Sequence, residues 1–154
     1  MDPRLLTLID TAITREEDAY AFYMDMHGKI EDPAARETIQ WIAGEEQQHK
    51  AFLVKYRKGD FGSRGLKLTD VVYYQIAEHQ NEPEVKADMS SSEVYLVASH
   101  RELRSHRFYT ALAGQHAAGE GREMLLKMAN EELKHKEKME YLYANTAFPQ
   151  TSGG

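Results

Sequence analysis

The sequence predicts an all-α fold, a four-helix bundle built from two helix hairpins joined by one long crossover. Three observations carry this reading. Four stretches space their core-type residues in alternating steps of three and four. Helix-start chemistry precedes three of them, twice as Asp-Pro and once as a serine with capping-box spacing. The first hairpin also recurs, without a gap, in the second half of the chain.

The first helix starts at Asp2-Pro3, a cap residue followed by proline at the first helical position. Its inward face reads Ile9, Ala12, Glu16, Ala19, Tyr23, Met26 and Ile30. The second helix starts at Asp32-Pro33 by the same logic, and its face reads Ile39, Ile42, Glu46, His49, Leu53 and Tyr56. The third opens at the serines, with Ser90 and Glu93 at capping-box spacing; its face reads Tyr95, Ala98, Glu102, Ser105, Tyr109, Leu112 and His116. The fourth follows the AAGEG turn and shows Leu125, Met128, Glu132, His135, Met139 and Leu142.

The internal repeat appears when 86 is added to each position of the first hairpin. Glu16 becomes Glu102, Phe22-Tyr23 becomes Phe108-Tyr109, Glu45-Glu46 becomes Glu131-Glu132, and His49-Lys50 becomes His135-Lys136. Ala12, Arg15, Gly28, Arg36, Glu37 and Ala43 also land on identical residues. The period is too long for a solenoid array and fits two hairpins closing on each other about a pseudo-two-fold axis. Residues 1–145 therefore read as one domain, with hairpins over about 3–58 and 91–143 and a crossover over 59–90. Within the crossover, DVVYYQIAE (70–78) fits either a short helix or an extended segment. Residues 146–154 read as a flexible tail, fraying from about residue 144.

Composition narrows the chemistry. The chain of 154 residues carries a net charge of −6, which disfavours nucleic acid as a partner. No apolar run approaches the roughly 20 residues that a membrane span needs. The first residues lack the basic start and apolar centre of a signal peptide, so a cytoplasmic location is expected. Cysteine is absent, which leaves only oxygen and nitrogen ligands for any metal.

Each hairpin supplies one Glu from its first helix and a Glu-x-x-His from its second. Three residues span about one helical turn, so each Glu-His pair shares a face. Glu16, Glu46, His49, Glu102, Glu132 and His135 all fall on inward positions. Four carboxylates buried without compensation would cost several kcal/mol each or take up protons. Two divalent cations cancel that charge, and paired Glu-x-x-His helices are a known template for di-metal carboxylate sites. A polar seam with satisfied hydrogen bonds is the competing reading, and the two pairs in register argue against it.

AITREEDAYAFY and ASHRELRSHRFY resemble the first and third helices of the rubrerythrin-like branch of the ferritin-like superfamily. IAGEEQQH and MANEELKH resemble its second and fourth, and the similarity covers roughly residues 5–143. The resemblance implies a ferritin-like bundle holding two iron ions, with manganese or a mixed pair tolerated by the same ligands. It implies that Glu46 and Glu132 bridge the metals, that Glu16 and His49 complete one, and that Glu102 and His135 complete the other. Tyr23 and Tyr109, seven residues after Glu16 and Glu102, are placed either to donate hydrogen bonds to those carboxylates or simply to pack the core. Rubrerythrins proper carry a further carboxylate one turn after the third-helix Glu, where this sequence has Ser105. They also carry a cysteine-ligated rubredoxin domain, so here electrons must come from a separate donor or from substrate iron, if the centre takes any.

The resemblance implies an oxidoreductase that reduces hydrogen peroxide or dioxygen with an external electron donor, and a homodimer as a family-level expectation. The alternatives are a non-catalytic iron-handling bundle and a purely structural one. His106 reads as a hydrogen-bonded boundary histidine rather than a ligand. His27 and His116 lie too far along their helices to join the centre, and His79 has no evident partner. Glu45 and Glu131 are expected to point sideways, and Trp41 to serve packing or an interface.

Overall fold

The computed structural model describes residues 3–59 and 74–147. Four helices make up the bundle: α1 (Pro3–Lys29), α2 (Pro33–Arg57), α3 (Ser91–Gly114) and α4 (Glu120–Ala147). There is no strand among the described residues. Among the described residues no helix is long and apolar enough to cross a membrane.

Local chemistry sets the helix starts. Asp32 caps α2, its Oδ2 accepting from the Ala35 N–H at 2.9 Å, with Pro33 in the first turn where a missing N–H costs nothing. Ser90 and Glu93 form a reciprocal capping box on α3: the serine hydroxyl accepts from the Glu93 N–H at 3.3 Å, and the Glu93 carboxylate accepts from the Ser90 N–H at 3.2 Å. Each such cap contributes about 1 kcal/mol. Gly59, at φ +90°, ends the α2 turn in a conformation that costs other residues energy. Gly121 lets α1 approach α4, since a Cβ there would meet Leu5 Cδ1 at 2.8 Å.

Short links make α1 and α2, and α3 and α4, antiparallel neighbours. Tyr23 of α1 meets Glu102 of α3, while Glu16 of α1 meets Tyr109 of α3, so α1 and α3 also run in opposite directions. It follows that α2 and α3 run the same way. The chain must therefore travel back along α2, a helix of 25 residues and about 37 Å, which is why the crossover is long.

The core has two apolar layers. One contains Met26, Ile30, Ile39, Ile42, Val94, Tyr95 and Met139; the other contains Ile9, Leu53, Ala113, Leu125 and Met128. Between them lies a buried polar layer of Glu16, Glu46, His49, Glu102, Glu132 and His135. The apolar layers exclude water from the polar one and fix the helices that carry it.

The described part of the crossover is strapped to α4. The backbone N–H groups of Tyr74 and Ala77 each donate to a carboxylate, Glu137 and Glu140 respectively, at 2.7 Å. Lys136 Nζ lies between these acids and Glu78, at 3.0 Å from Glu137 and Glu140 and 2.9 Å from Glu78. Farther on, the Glu31 N–H donates to the Ala87 carbonyl at 3.2 Å and ties the crossover to the first hairpin's turn.

Three expectations change. The third helix ends at Gly114, so His116 follows the helix instead of continuing its inward face. The fourth begins at Glu120, inside the AAGEG turn, and runs to Ala147, so residues 144–147 are helical rather than tail. Residues 148–154 lie outside the described residues. Of the segment 70–78, residues 70–73 also lie outside them; the remainder is irregular, with Gln75 at φ 56° and a turn closed by His79 N–H on the Ile76 carbonyl.

Candidate metal centre

All six acidic and imidazole side chains singled out above meet in the polar layer. Ligand atoms of Glu16, Glu46, His49 and Glu132 lie within 4.8 Å of one another, and so do those of Glu46, Glu102, Glu132 and His135. Glu46 and Glu132 belong to both groups. The helix register explains this: in each hairpin, the second-helix Glu and His sit one turn apart and face the first-helix Glu across the seam.

Each imidazole turns Nδ1 toward the other hairpin. His49 Nδ1 is 3.2 Å from Glu132 Oε1 and 3.6 Å from Glu16 Oε1. His135 Nδ1 is 3.4 Å from Glu46 Oε1 and 3.8 Å from Glu102 Oε2. The two rings stack at 5.2 Å with 12° between their planes.

The surrounding bonds repeat the symmetry. Tyr23 donates to Glu102 Oε1 at 2.8 Å, and Tyr109 donates to Glu16 Oε1 at 2.8 Å. Each tyrosine thus serves a glutamate of the other hairpin. Both rings are fully buried, and burial together with the neighbouring carboxylate charges pushes both phenols well above their usual range. They therefore stay protonated and can act as donors. Outside them, Arg15 lies 4.4 Å from the centroid of Phe108, and Arg101 lies 5.3 Å from that of Phe22, stitching α1 to α3 twice by cation–π contact.

The layer is unsatisfied as it stands. Glu16 Oε2, Glu46 Oε1, Glu102 Oε2, Glu132 Oε2 and His135 Nδ1 are buried and make no hydrogen bond. Buried polar atoms are nearly always paired, so five orphans in one place indicate a missing partner of positive charge. Burial raises the carboxyls of Glu46 and Glu132 well above the usual range, and the charges of Glu102 and the opposing acids add to it. Burial also raises Glu16, but hydrogen bonds with Glu46, His49 and Tyr109 outweigh it and hold Glu16 at about 2. Burial lowers His49, yet contact with Glu16 more than compensates and leaves it raised. Without a cation, protons gather on Glu46, Glu132 and His49. The donor set of four carboxylates and two imidazoles suits two iron or manganese ions, whose charge would replace those protons.

Other residues fall as follows. His106 Nδ1 donates to the Ala129 carbonyl at 2.8 Å, and Ser105 is buried where a further carboxylate was absent from the sequence. Glu45 does not point away from the centre: its Oε2 is 3.7 Å from His135 Nε2. Glu131 is turned partly toward Lys134, whose Nζ donates to its Oε1 at 3.1 Å, while ligand atoms of Glu131, His49 and His135 lie within 4.8 Å of one another. Glu45 thus lies beside the outer nitrogen of His135, whose Nδ1 faces inward. The doubled Glu-Glu in each copy was the signal for these flanking acids. Trp41, 38 % exposed, lies edge-on to His135 with ring centroids 5.8 Å apart, and Lys138 Nζ covers its ring at 3.7 Å.

Comparison with known proteins agrees with this architecture. A solved structure of a hypothetical protein from Pyrococcus furiosus shares the fold, with a TM-score of 0.59 and 23% sequence identity; the match covers 96% of this chain and 92% of that one. The search of curated proteins finds no match. The family model for rubrerythrin matches residues 7–90, more than half of the chain. That span takes in the first Glu, the first Glu-x-x-His and the crossover, and the second hairpin repeats the same side chains, so the chain belongs to the rubrerythrin family of ferritin-like proteins.

Proposed function

We propose that the protein is a di-iron carboxylate oxidoreductase that reduces hydrogen peroxide or dioxygen with electrons from an external donor. The observation that carries this reading is the set of five orphaned, inward-facing ligand atoms in a layer where two groups of donors share Glu46 and Glu132. Glu46 and Glu132 would bridge the two ions; Glu16 with His49, and Glu102 with His135, would complete them. A pair of iron ions supplies two electrons together, as cleavage of an O–O bond requires.

The chain's own residues set the conditions. The apolar layers keep the site dry. Tyr23 and Tyr109 hold Glu102 and Glu16 in place through their hydroxyl protons. Glu45 orients the His135 imidazole from behind. Reduction of peroxide to two waters consumes two electrons and two protons. Tyr23 and Tyr109 are protonated groups hydrogen-bonded directly to carboxylates of the donor set. An iron-handling role without turnover would use the same ligands.

Anaerobic ferrous loading followed by peroxide tests the reading. The expected result is two metal ions per chain, rapid appearance of near-ultraviolet ferric absorbance, and repeated turnover when a reductant is added. Metal bound without peroxide reactivity would leave the iron-handling role; no metal bound would remove both.

A further inference from the structure

The two hairpins present alike inner faces to the polar layer, but their outer faces differ. Between α1 and α2, Glu16 borders a recess of about 240 Å³ whose other walls are Glu17, Tyr20, Gln47 and Lys50. Glu16 is itself 2 % exposed, and its Oε2 has no hydrogen-bond partner. Lys50 and Glu17 face each other over the recess at 3.8 Å, with side chains 44 % and 53 % exposed. A pair so long and so wet is worth little and gives way readily to a competing cation.

The repeat replaces every one of these wall residues on the other side except the lysine. Glu17 becomes Leu103, Tyr20 becomes His106, Gln47 becomes Leu133, and Lys50 becomes Lys136. Leu103 and Leu133 are buried. His106 is tied to the Ala129 carbonyl. Lys136 is 1 % exposed, held by Glu78, Glu137 and Glu140 under the crossover. The polar walls of one side are apolar or pinned on the other.

We propose that the recess between α1 and α2 is the route by which divalent cations reach the centre, and that the equivalent path between α3 and α4 is closed. Glu17 gathers the cation at the mouth by displacing its pairing with Lys50, Gln47 and Tyr20 offer oxygen atoms as hydration water is shed, and the free Oε2 of Glu16 receives the ion. Leu103 and Leu133 offer nothing in exchange for that water, and stripping a dication without replacement is prohibitive. This inference rests on the metal-centre reading above.

The test uses Trp41, the chain's one tryptophan, whose place against His135 lets its fluorescence report arrival of a quenching cation. Metal-free protein is mixed with Co2+ in a stopped-flow instrument, and bound metal is then counted at equilibrium. Glu17→Leu combined with Gln47→Leu copies the closed side and is expected to slow quenching about tenfold, the scale of lost electrostatic focusing, while two ions still bind. Gln47→Phe, a single change at an exposed position, is expected to slow it as well and decides the matter if the double variant does not fold. Lys55→Ala, exposed on α2 outside the recess, is expected to load at the wild-type rate. Plugged variants that load as fast as the wild type, to the same final count, would overturn the route and leave the metal centre standing. A folded plugged variant that ends with fewer ions also overturns it, since the altered residues would then hold metal rather than pass it. Wild-type protein that binds no Co2+ overturns both.

Discussion

Lys50 and Lys136 hold equivalent places in the two copies of the hairpin. Lys50 is 44 % exposed and reaches one carboxylate at 3.8 Å; Lys136 is 1 % exposed and has three within 3.0 Å. The inner faces show the opposite behaviour. Tyr23 with Glu102 and Tyr109 with Glu16 match to the tenth of an ångström, and Arg15 over Phe108 is answered by Arg101 over Phe22. A shared centre constrains the inside of both copies equally. The outside of each is constrained only by what lies against it, and the crossover is strapped to α4.

Lys136→Met should therefore give the largest effect, because it strands Glu137 and Glu140 in the interior. A loss of about 3 kcal/mol is expected in urea denaturation, at the low end of the range for breaking a buried ion cluster. Next comes metal protection. Loading at a hundredfold excess over Kd should add about 2.7 kcal/mol, and both Glu46→Ala and Glu132→Ala should abolish that gain. If only one did, the inner faces would not be equivalent. Tyr23→Phe and Tyr109→Phe should each cost about 1.5 kcal/mol, as for hydrogen bonds to charged groups, and the two values should agree. Lys50→Met should stay within about 0.5 kcal/mol of wild type, as exposed pairs do.

The pH response sharpens the same contrast between an empty and a filled centre. Glu46 and Glu132 have carboxyls raised above the ordinary 4.5. Their protonated forms favour the folded, metal-free protein, and that contribution is fully present below the unfolded value and is lost as pH rises through the raised one. The metal-free protein should therefore lose stability on going from acid toward neutral pH, whereas the loaded protein should gain it, and loading should release protons measurable in weak buffer.

Much of this was legible in the sequence. The four helices, the capped starts at Asp32 and Ser90 (the third, at Asp2, lies outside the described residues), and the convergence of six side chains all follow from spacing and from one offset. The contact of Glu45 with His135 was not, because helical periodicity places Glu45 at the flank and cannot say that a stacked imidazole from the other hairpin lies beside that flank. The burial of Lys136, Glu137 and Glu140 was equally hidden. A run of charges on a helix reads as a solvated face until a segment 58 or more residues away in the chain is known to lie on it. The helical residues 144–147 carry no apolar spacing that would have extended α4.

The exchanged tyrosines have one more consequence. A single copy of the hairpin contains a phenol lacking its acid and an acid lacking its phenol, so it is half of a reciprocal arrangement. Two free copies could satisfy each other only at a concentration set by their supply. Joined in one chain, each meets its counterpart at an effective concentration fixed by the linking segment, independent of how much protein the cell holds.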